Sequence, residues 1–469
     1  NNFVYAVDEQ TISKNDTKFH YNQLNSEAKK IYSAMYEMYT SGVFKTGNEN
    51  YDLSQNDKYV TQSELQSYTN GNTTLKEAMN VARYAFYADY PEVFYVNFQK
   101  LSLRVTKDNN DRYHAYLGSG NKANYYTEGF TNQEQVEQAI TDFNNKVNEI
   151  VAKVESTTVE EGKNPTTEKI KQAHNEIINN TGYRLESDCT PGNEGFIGTP
   201  YGALIKQQAV CEGYARALKT VLDKLEINSI LVQGTHQSEG TAAVPHMWNY
   251  VEVEKQTLAR SNEKVWYAID CTLDDPFLRD TTIDKTDQDF KPGDDIKEGF
   301  ENTRYCLIGT ETMNKEHVAI ETVEAAGNYT FKYPELNQED YGIDSVTNIN
   351  GLLVKFKQDG TETEEYKAGD YYISYNNKGF VETAKEGKYI LMKSYYYLPS
   401  NEEWKVSQWG YFLPDVYAGG FRDYGDHLYL TMPNSEYVEF AVTTLAPGDY
   451  QSNPKYLSYQ GDESDFVAK

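Results

Sequence analysis

The sequence predicts an α+β fold in three parts. An α-rich region with a small hairpin spans 1–160, a mixed core spans 161–320, and an all-β region spans 321–469. Three observations carry this reading. Apolar residues recur at helical spacing up to about residue 155. One amphipathic helix and two apolar strands follow. Beyond Glu321 short alternating runs are separated by Gly and Pro turns, as in a β-sandwich or small barrel. A chain of 469 residues has room for two or three domains.

Along the first region, Leu24, Ala28, Ile31, Met35 and Met38 form one amphipathic stripe. Thr74 with Glu77, and Thr131 with Glu134, have capping-box spacing ahead of two further apolar-periodic runs. Between those helices, Val93–Val96 and Leu101–Val105 read as strands, and 107–129 reads as a turn-rich hairpin. The polar stretch Glu155–Thr167, with Gly162 and Pro165, reads as a linker. A helix over Ile170–Asn180 follows. In the last region, Leu352–Lys357 and Thr361–Tyr366 flank Asp359-Gly360 as a hairpin. Tyr371–Tyr375, Lys388–Leu398, Trp409–Phe412, His427–Thr431 and Val438–Thr443 are the other strand candidates.

The core holds the chemistry. Ala215, Leu218, Leu222 and Leu225 recur every three or four residues, so Cys211 opens a helix. The partial positive charge and free N–H groups of a helix start favour a thiolate, the form that attacks. His246 follows Pro245 and begins a strand running through Val251 and Val253. Asp270 ends a second apolar strand, Val265-Trp266-Tyr267-Ala268-Ile269. Neighbouring strands would set His246 beside Asp270, where a carboxylate fixes the imidazole's tautomer and stabilises its cation. Taken singly, a cysteine is more often a small core residue and a histidine an ordinary strand-end side chain. Together they form a nucleophile, a base and an orienting acceptor. Asp274 and Asp275 read instead as a solvated or capping turn before Pro276.

Three blocks, Val210-Cys211-Glu212-Gly213-Tyr214-Ala215, His246-Met247-Trp248-Asn249 and Asp270-Cys271-Thr272-Leu273-Asp274-Asp275-Pro276, resemble the transglutaminase-like superfamily. The resemblance runs from near Lys169 to about His317, roughly a third of the chain. It implies a papain-like fold, with Cys211 as nucleophile, His246 as general base and Asp270 as its orienting partner. It also implies acyl-thioester chemistry on a carboxamide. The family includes cross-linking acyltransferases, deamidases, peptidases and members that have lost catalysis. Cys271 and Leu273 depart from the commonest bacterial form, which has a small residue and an aromatic there. The Cys211 N–H is the natural first oxyanion donor, with Gln207 or Gln208 offering a second. Gln208, Tyr214, Trp248 and Asn249 are the candidates for lining the cleft or the oxyanion site.

Composition narrows the partners. The net charge of −27, from 44 basic and 71 acidic residues, excludes a nucleic-acid footprint. It also disfavours an anionic membrane surface, and no run of some 18 apolar residues exists for membrane insertion. The start Asn1-Asn2-Phe3, without Met, suggests that a targeting segment has been removed, and a location outside the cell or on its surface is the expectation. Four cysteines (Cys189, Cys211, Cys271, Cys306) make a poor disulfide framework, with one bridge at most beside a free Cys211. No zinc spacing is present, and no cofactor is expected. The acidic run Asp284, Asp287, Asp289, Asp294 and Asp295 lacks a calcium-loop pattern and reads as solvated.

The expected function is that of a secreted or surface thiol enzyme acting on protein or peptide amides, with a cell-wall-associated substrate in view. It would work as a peptidase or amidase, or as a cross-linking acyltransferase. A peptide-maturation enzyme with a dedicated partner is a narrower form of this reading. The alternative is an idle scaffold in a binding or adhesion protein. Its aromatic-rich β region would take glycan or protein, since Tyr371-Tyr372, Tyr395-Tyr396-Tyr397, Trp404 and Trp409 crowd there. Against that, all 41 tyrosines are spread through every region, and Tyr favours strands for ordinary packing reasons.

Overall fold

The computed structural model describes residues 18–184, 195–237, 242–254, 263–275, 303 and 305–342, and the backbone of seven strands between 371 and 441. Among these residues the mixed helix and strand content is that of an α+β protein.

The N-terminal helices are α1 (Phe19–Asn22), α2 (Ser26–Thr40), α3 (Val43–Thr46), α4 (Gln62–Thr69) and α5 (Thr74–Asp89). Strands β1 (Tyr51–Asp52), β2 (Ser102–Lys107) and β3 (Tyr113–Gly118) make a small antiparallel sheet in the order β1-β3-β2. Helices α6 (Gln133–Glu155) and α7 (Pro165–Asn180) close the helical part. The polar stretch between them is short, and Asn164 caps α7 by accepting from the Thr166 and Thr167 N–H groups, with Pro165 at the first helical position.

Several local expectations shift. At α5 the first helical residue is Thr74 itself, its N–H bonded to Asn72 Oδ1, so no Thr74/Glu77 box forms. At α6 the cap is Asn132, which accepts from the Gln135 N–H, while Gln135 reaches back to the Thr131 N–H. A full capping box does form at Thr61 and Glu64. Val93–Val96 is a buried turn segment with one bridge, Val96 to Tyr126, instead of a strand. Its backbone pairs piecemeal with 125–127, through Asn97 N–H to Tyr125 O and Thr127 N–H to Tyr95 O, so no ladder is needed to satisfy it.

Two short parallel strands, β4 (Gly182–Tyr183) and β5 (Gln208–Ala209), frame a π-turn at Gly202–Lys206 and lead into α8 (Cys211–Lys224). The central sheet is five-stranded and antiparallel. It comprises β6 (Ser229–His236), β7 (Val244–Glu254), β8 (Lys264–Ile269), β9 (Cys306–Ile308) and β10 (His317–Ala319), in the order β10-β6-β7-β8-β9. Two single-turn helices, α9 (Cys271–Asp274) and α10 (Thr310–Met313), flank β9. A small hairpin of β11 (Thr322–Val323) and β12 (Tyr329–Thr330) follows.

One cluster of buried apolar side chains runs from Tyr21 and Ile31 through Phe86, Phe143 and Ile170 to Leu218, Val251 and Phe331. Helix α8 lies inside it, with every residue from Gly213 to Leu222 buried. That is more than its one apolar stripe called for, because α8 is covered on more than one side, as a central helix is.

Beyond residue 342 the described backbone makes two antiparallel meanders. The first is β13 (Tyr371–Tyr375), β14 (Gly379–Glu386), β15 (Tyr389–Leu398) and β16 (Glu403–Phe412). The second is β17 (Gly420–Asp423), β18 (His427–Thr431) and β19 (Tyr437–Ala441). The hairpin expected at 352–366 and the acidic run at 280–295 lie outside the described residues. Among the described residues no helix is long and apolar enough to cross a membrane.

Candidate active site

Cys211 is the first residue of α8, after an extended Val210, so its own N–H has no intrahelical acceptor. The loop at 195–199 presses on the helix start. A side chain at Gly213 would place its Cβ 2.5 Å from Ile197 O and 2.6 Å from Ala209 Cβ. We therefore expect Gly213→Ala to push loop and helix apart at a cost of about 2 kcal/mol, read as a lower midpoint in urea unfolding. Cys211 is half-buried and packs against a small cluster of Ala88, Ala215, Leu231 and Met247, which Tyr84 of α5 also packs against. The N-terminal region thus supplies one wall at the nucleophile.

His246 lies near the start of β7, opposite Gly234 of β6. Its Nε2 lies 2.7 Å from Asp270 Oδ2. The same ring hydrogen-bonds the Cys211 side chain, which leaves Nδ1 to face the sulfur. Burial alone would push this imidazole down. Asp270 and Cys211 outweigh it, and His246 is pushed up to about 10. A ring with that affinity keeps a proton taken from the thiol.

Asp270 ends β8 and is 1 % exposed. Its Oδ1 caps α9 by accepting the Leu273 N–H, and its Oδ2 faces His246. Burial opposes its charge, yet the facing histidines hold its carboxyl well below the usual carboxylate range. A second histidine, His317 at the start of β10, also bonds Asp270 Oδ2, at 2.8 Å. The sequence reading missed it. Its signal is not local, because β10 reaches this spot only by pairing with β6 on the sheet's edge.

His246, Asp270 and His317 also form a ligand-type cluster. An ion bound to both an imidazole nitrogen and a carboxylate oxygen at ~2.0–2.2 Å holds them about 3.0–3.4 Å apart. The contacts here, 2.7 and 2.8 Å, have the length of hydrogen bonds.

The other candidates fall elsewhere. Trp248 is 1 % exposed, with its ring stacked on His246 and edge-on to His317, so it shields both imidazoles from water. Asn249 is buried and donates its amide to Ala215 O, tying β7 to α8. Tyr214 is buried with its hydroxyl on Asp275. Both side chains are buried, so any cleft or oxyanion role would act from beneath the surface. Gln207 is a left-handed turn residue whose carbonyl accepts the Gly182 N–H. Gln208 is half-buried in β5, three residues before the nucleophile. Asp274 and Asp275 are not solvated: Asp274 binds His174 Nε2 at 2.8 Å and the Tyr305 N–H, joining α7 to the turn before β9. Cys271 and Cys306 are buried free thiols that burial pushes well above the ordinary range, and Cys189 lies outside the described residues.

Residues 152–271 match the family model of the Transglutaminase-like superfamily, and this span contains Cys211, His246 and Asp270. The superfamily is the one the three motif blocks resemble, and it points to a cysteine-based enzyme. A solved structure described as "Crystal structure of a TGase" is similar at 16% identity, over 38% of this chain and 46% of that one, with a TM-score of 0.22. The match therefore spans less than half of that protein's length. No curated protein matches the chain.

Proposed function

We propose that this protein is a thiol enzyme that acts on protein or peptide amides through an acyl-thioester. One observation carries the reading: a half-buried cysteine at a helix start hydrogen-bonds an imidazole that a buried carboxylate holds at 2.7 Å. The Cys211 thiolate attacks the amide carbon, and the carbonyl electron pair moves to oxygen, beside the Cys211 N–H. The C–N bond breaks, and His246 gives its proton to the departing nitrogen, so ammonia or an amine leaves. Water or a second amine then attacks the thioester, His246 takes that nucleophile's proton, and the sulfur departs as thiolate. Water makes the enzyme a peptidase or amidase; an amine makes it a cross-linking transferase.

The acidic surface and the proposed secretion fit an extracellular or surface setting with a cell-wall-associated protein substrate, and no cofactor is required. The C-terminal strands form, in this reading, a sandwich or small barrel that accompanies the catalytic part.

Iodoacetamide labelling located at Cys211 by peptide mass tests the pair. Labelling is expected to stay fast well below the ordinary thiol range of about 8.5, and to collapse there in His246→Ala. Slow labelling in the parent, unchanged by the substitution, would sink the enzyme reading and favour the idle scaffold.

A further inference from the structure

The mechanism above uses one face of Asp270 and leaves a buried histidine on the same oxygen unexplained. His317 is 3 % exposed and stands at the start of β10, opposite His236 of β6. Its Nε2 lies 2.8 Å from Asp270 Oδ2, the atom that His246 Nε2 meets at 2.7 Å. With Oδ1 taken by the Leu273 N–H, the carboxylate has donors on both oxygens.

The tautomer follows from the contacts. A carboxylate only accepts, so His317 must carry its proton on Nε2. Its Nδ1 is buried and has no hydrogen-bond partner among the described residues. A second proton there would be a buried donor with no acceptor, which is costly. The neighbours agree. The rings of His236, His246, Trp248 and Tyr305 surround it at centroid distances of 5.0 to 5.7 Å, and His246 is the ring that bears the charge. Glu316, next in the chain, is turned to the Tyr305 hydroxyl and His236. The only anion in hydrogen-bond contact with the His317 ring, among the described residues, is therefore Asp270.

We propose that His317 is a positioning residue for the reaction: a neutral imidazole that fixes the Asp270 carboxylate in the orientation and charge state that His246 needs. The proposal rests on the thiol-enzyme reading above. His317 touches neither sulfur nor substrate. Its Nε2–H stops Asp270 from rotating about its side chain, and it partly replaces the water that burial has removed. A second histidine has a use here: Leu273 holds only Oδ1, and on Oδ2 the His317 N–H adds a second donor beside the His246 ring, which fixes the plane of the carboxylate and favours its charged form. The packing leaves the place no slack: a Cβ at Gly234, opposite His246, would sit 2.0 Å from Val318 O and 2.7 Å from the Trp248 ring. His317 itself lies beyond the residues that match the superfamily model.

The test compares Cys211 alkylation against pH in the full chain for the parent, His317→Gln, His317→Leu and His246→Ala. A Gln amide can still donate to Asp270, whereas Leu cannot. His317→Leu is expected to slow labelling about tenfold at pH 6 and to move the acid limb of the profile upward, while His317→Gln stays within about threefold of the parent. Equal loss in both variants, or no loss in His317→Leu, overturns the positioning role. If the parent labels slowly and His246→Ala changes nothing, it is the thiol-enzyme reading that has failed instead. Should His317→Leu not fold, imidazole ¹⁵N NMR of the parent decides: a neutral Nε2–H tautomer for His317 near pH 6 is expected, and a charged ring or an Nδ1–H tautomer overturns the proposal.

Discussion

Replacing Asp270 by Asn is expected to slow alkylation of Cys211 by about two orders of magnitude at pH 6, and by much less at pH 9. The asymmetry comes from what the carboxylate does. It offsets the burial of His246 and pushes that ring up to about 10, so the imidazole holds its proton beside the sulfur. Asn has nearly the same shape and can still cap α9 through its side-chain oxygen, in place of Asp270 Oδ1. It carries no charge. Burial then acts on His246 with only the sulfur to oppose it, and the ring loses its hold on the proton. A thiol in its ordinary range, near 8.5, is only about 0.3 % ionised at pH 6, and that fraction sets the size of the loss. Near pH 9 most such thiols ionise without help, and the variant recovers. An unfolded variant behaves differently: its exposed thiol also labels at high pH, but its tryptophan fluorescence is that of a solvated chain. A flat ratio of the two proteins' labelling rates from pH 6 to pH 9 would show that Asp270 does not control the pair's charge.

The three residues of the proposed Cys–His–Asp set were legible because each sits in a local pattern with a chemical reason. Cys211 opens a periodic helix, and His246 and Asp270 lie at strand ends, as the structure has them. Features set by long-range packing were not. His317 follows Asp270 by 47 residues, sits in a strand of three residues, and gains its partner only because β10 adds to the edge of the sheet at β6. Asp274 and Asp275, beside a Pro, look like a wet turn. They are buried because His174 of α7 and Tyr214 of α8 reach across to them. The same holds for Asn249, whose amide is taken by a carbonyl of α8. The caps failed for a different reason. Near α6 both Thr131/Glu134 and Asn132/Gln135 satisfy the spacing rule, and which one serves depends on the face the helix must bury, here Val136, Ala139 and Phe143. A one-residue change of register is invisible to a pattern of four.

The largest stability effect is expected at a buried carboxylate that sequence periodicity hides inside a helix. Asp89 is the last residue of α5 and is 1 % exposed. A helix C-terminus is the wrong end for an anion, since the macrodipole is negative there. The charge survives because four donors converge on it. Oδ1 takes the His20 N–H at 3.1 Å and His20 Nδ1 at 2.9 Å; Oδ2 takes the Tyr21 N–H at 3.0 Å and the Tyr32 hydroxyl at 2.8 Å. Through them Asp89 ties α1 and α2 to α5, whose Tyr84 packs against the same small cluster as Cys211. In Asp89→Ala all four donors stay buried without their acceptor, and we expect a loss of about 3–5 kcal/mol, with α1 released first. The pH dependence has a definite sign. Burial raises this carboxyl, but His20 and Lys219 lower it further, so its folded value lies below its ordinary one. Such a group stabilises the fold above its unfolded pKa of about 3.9, and that share is lost as pH falls through the lower folded value. Urea unfolding of parent and variant should therefore differ most near neutrality and converge in acid. Hydrogen exchange should show the amides of His20 and Tyr21 opening in the variant while the α8 amides stay protected. A variant within 1 kcal/mol of the parent at neutral pH would mean that water replaces the carboxylate, and that the α1 joint is looser than these four contacts require.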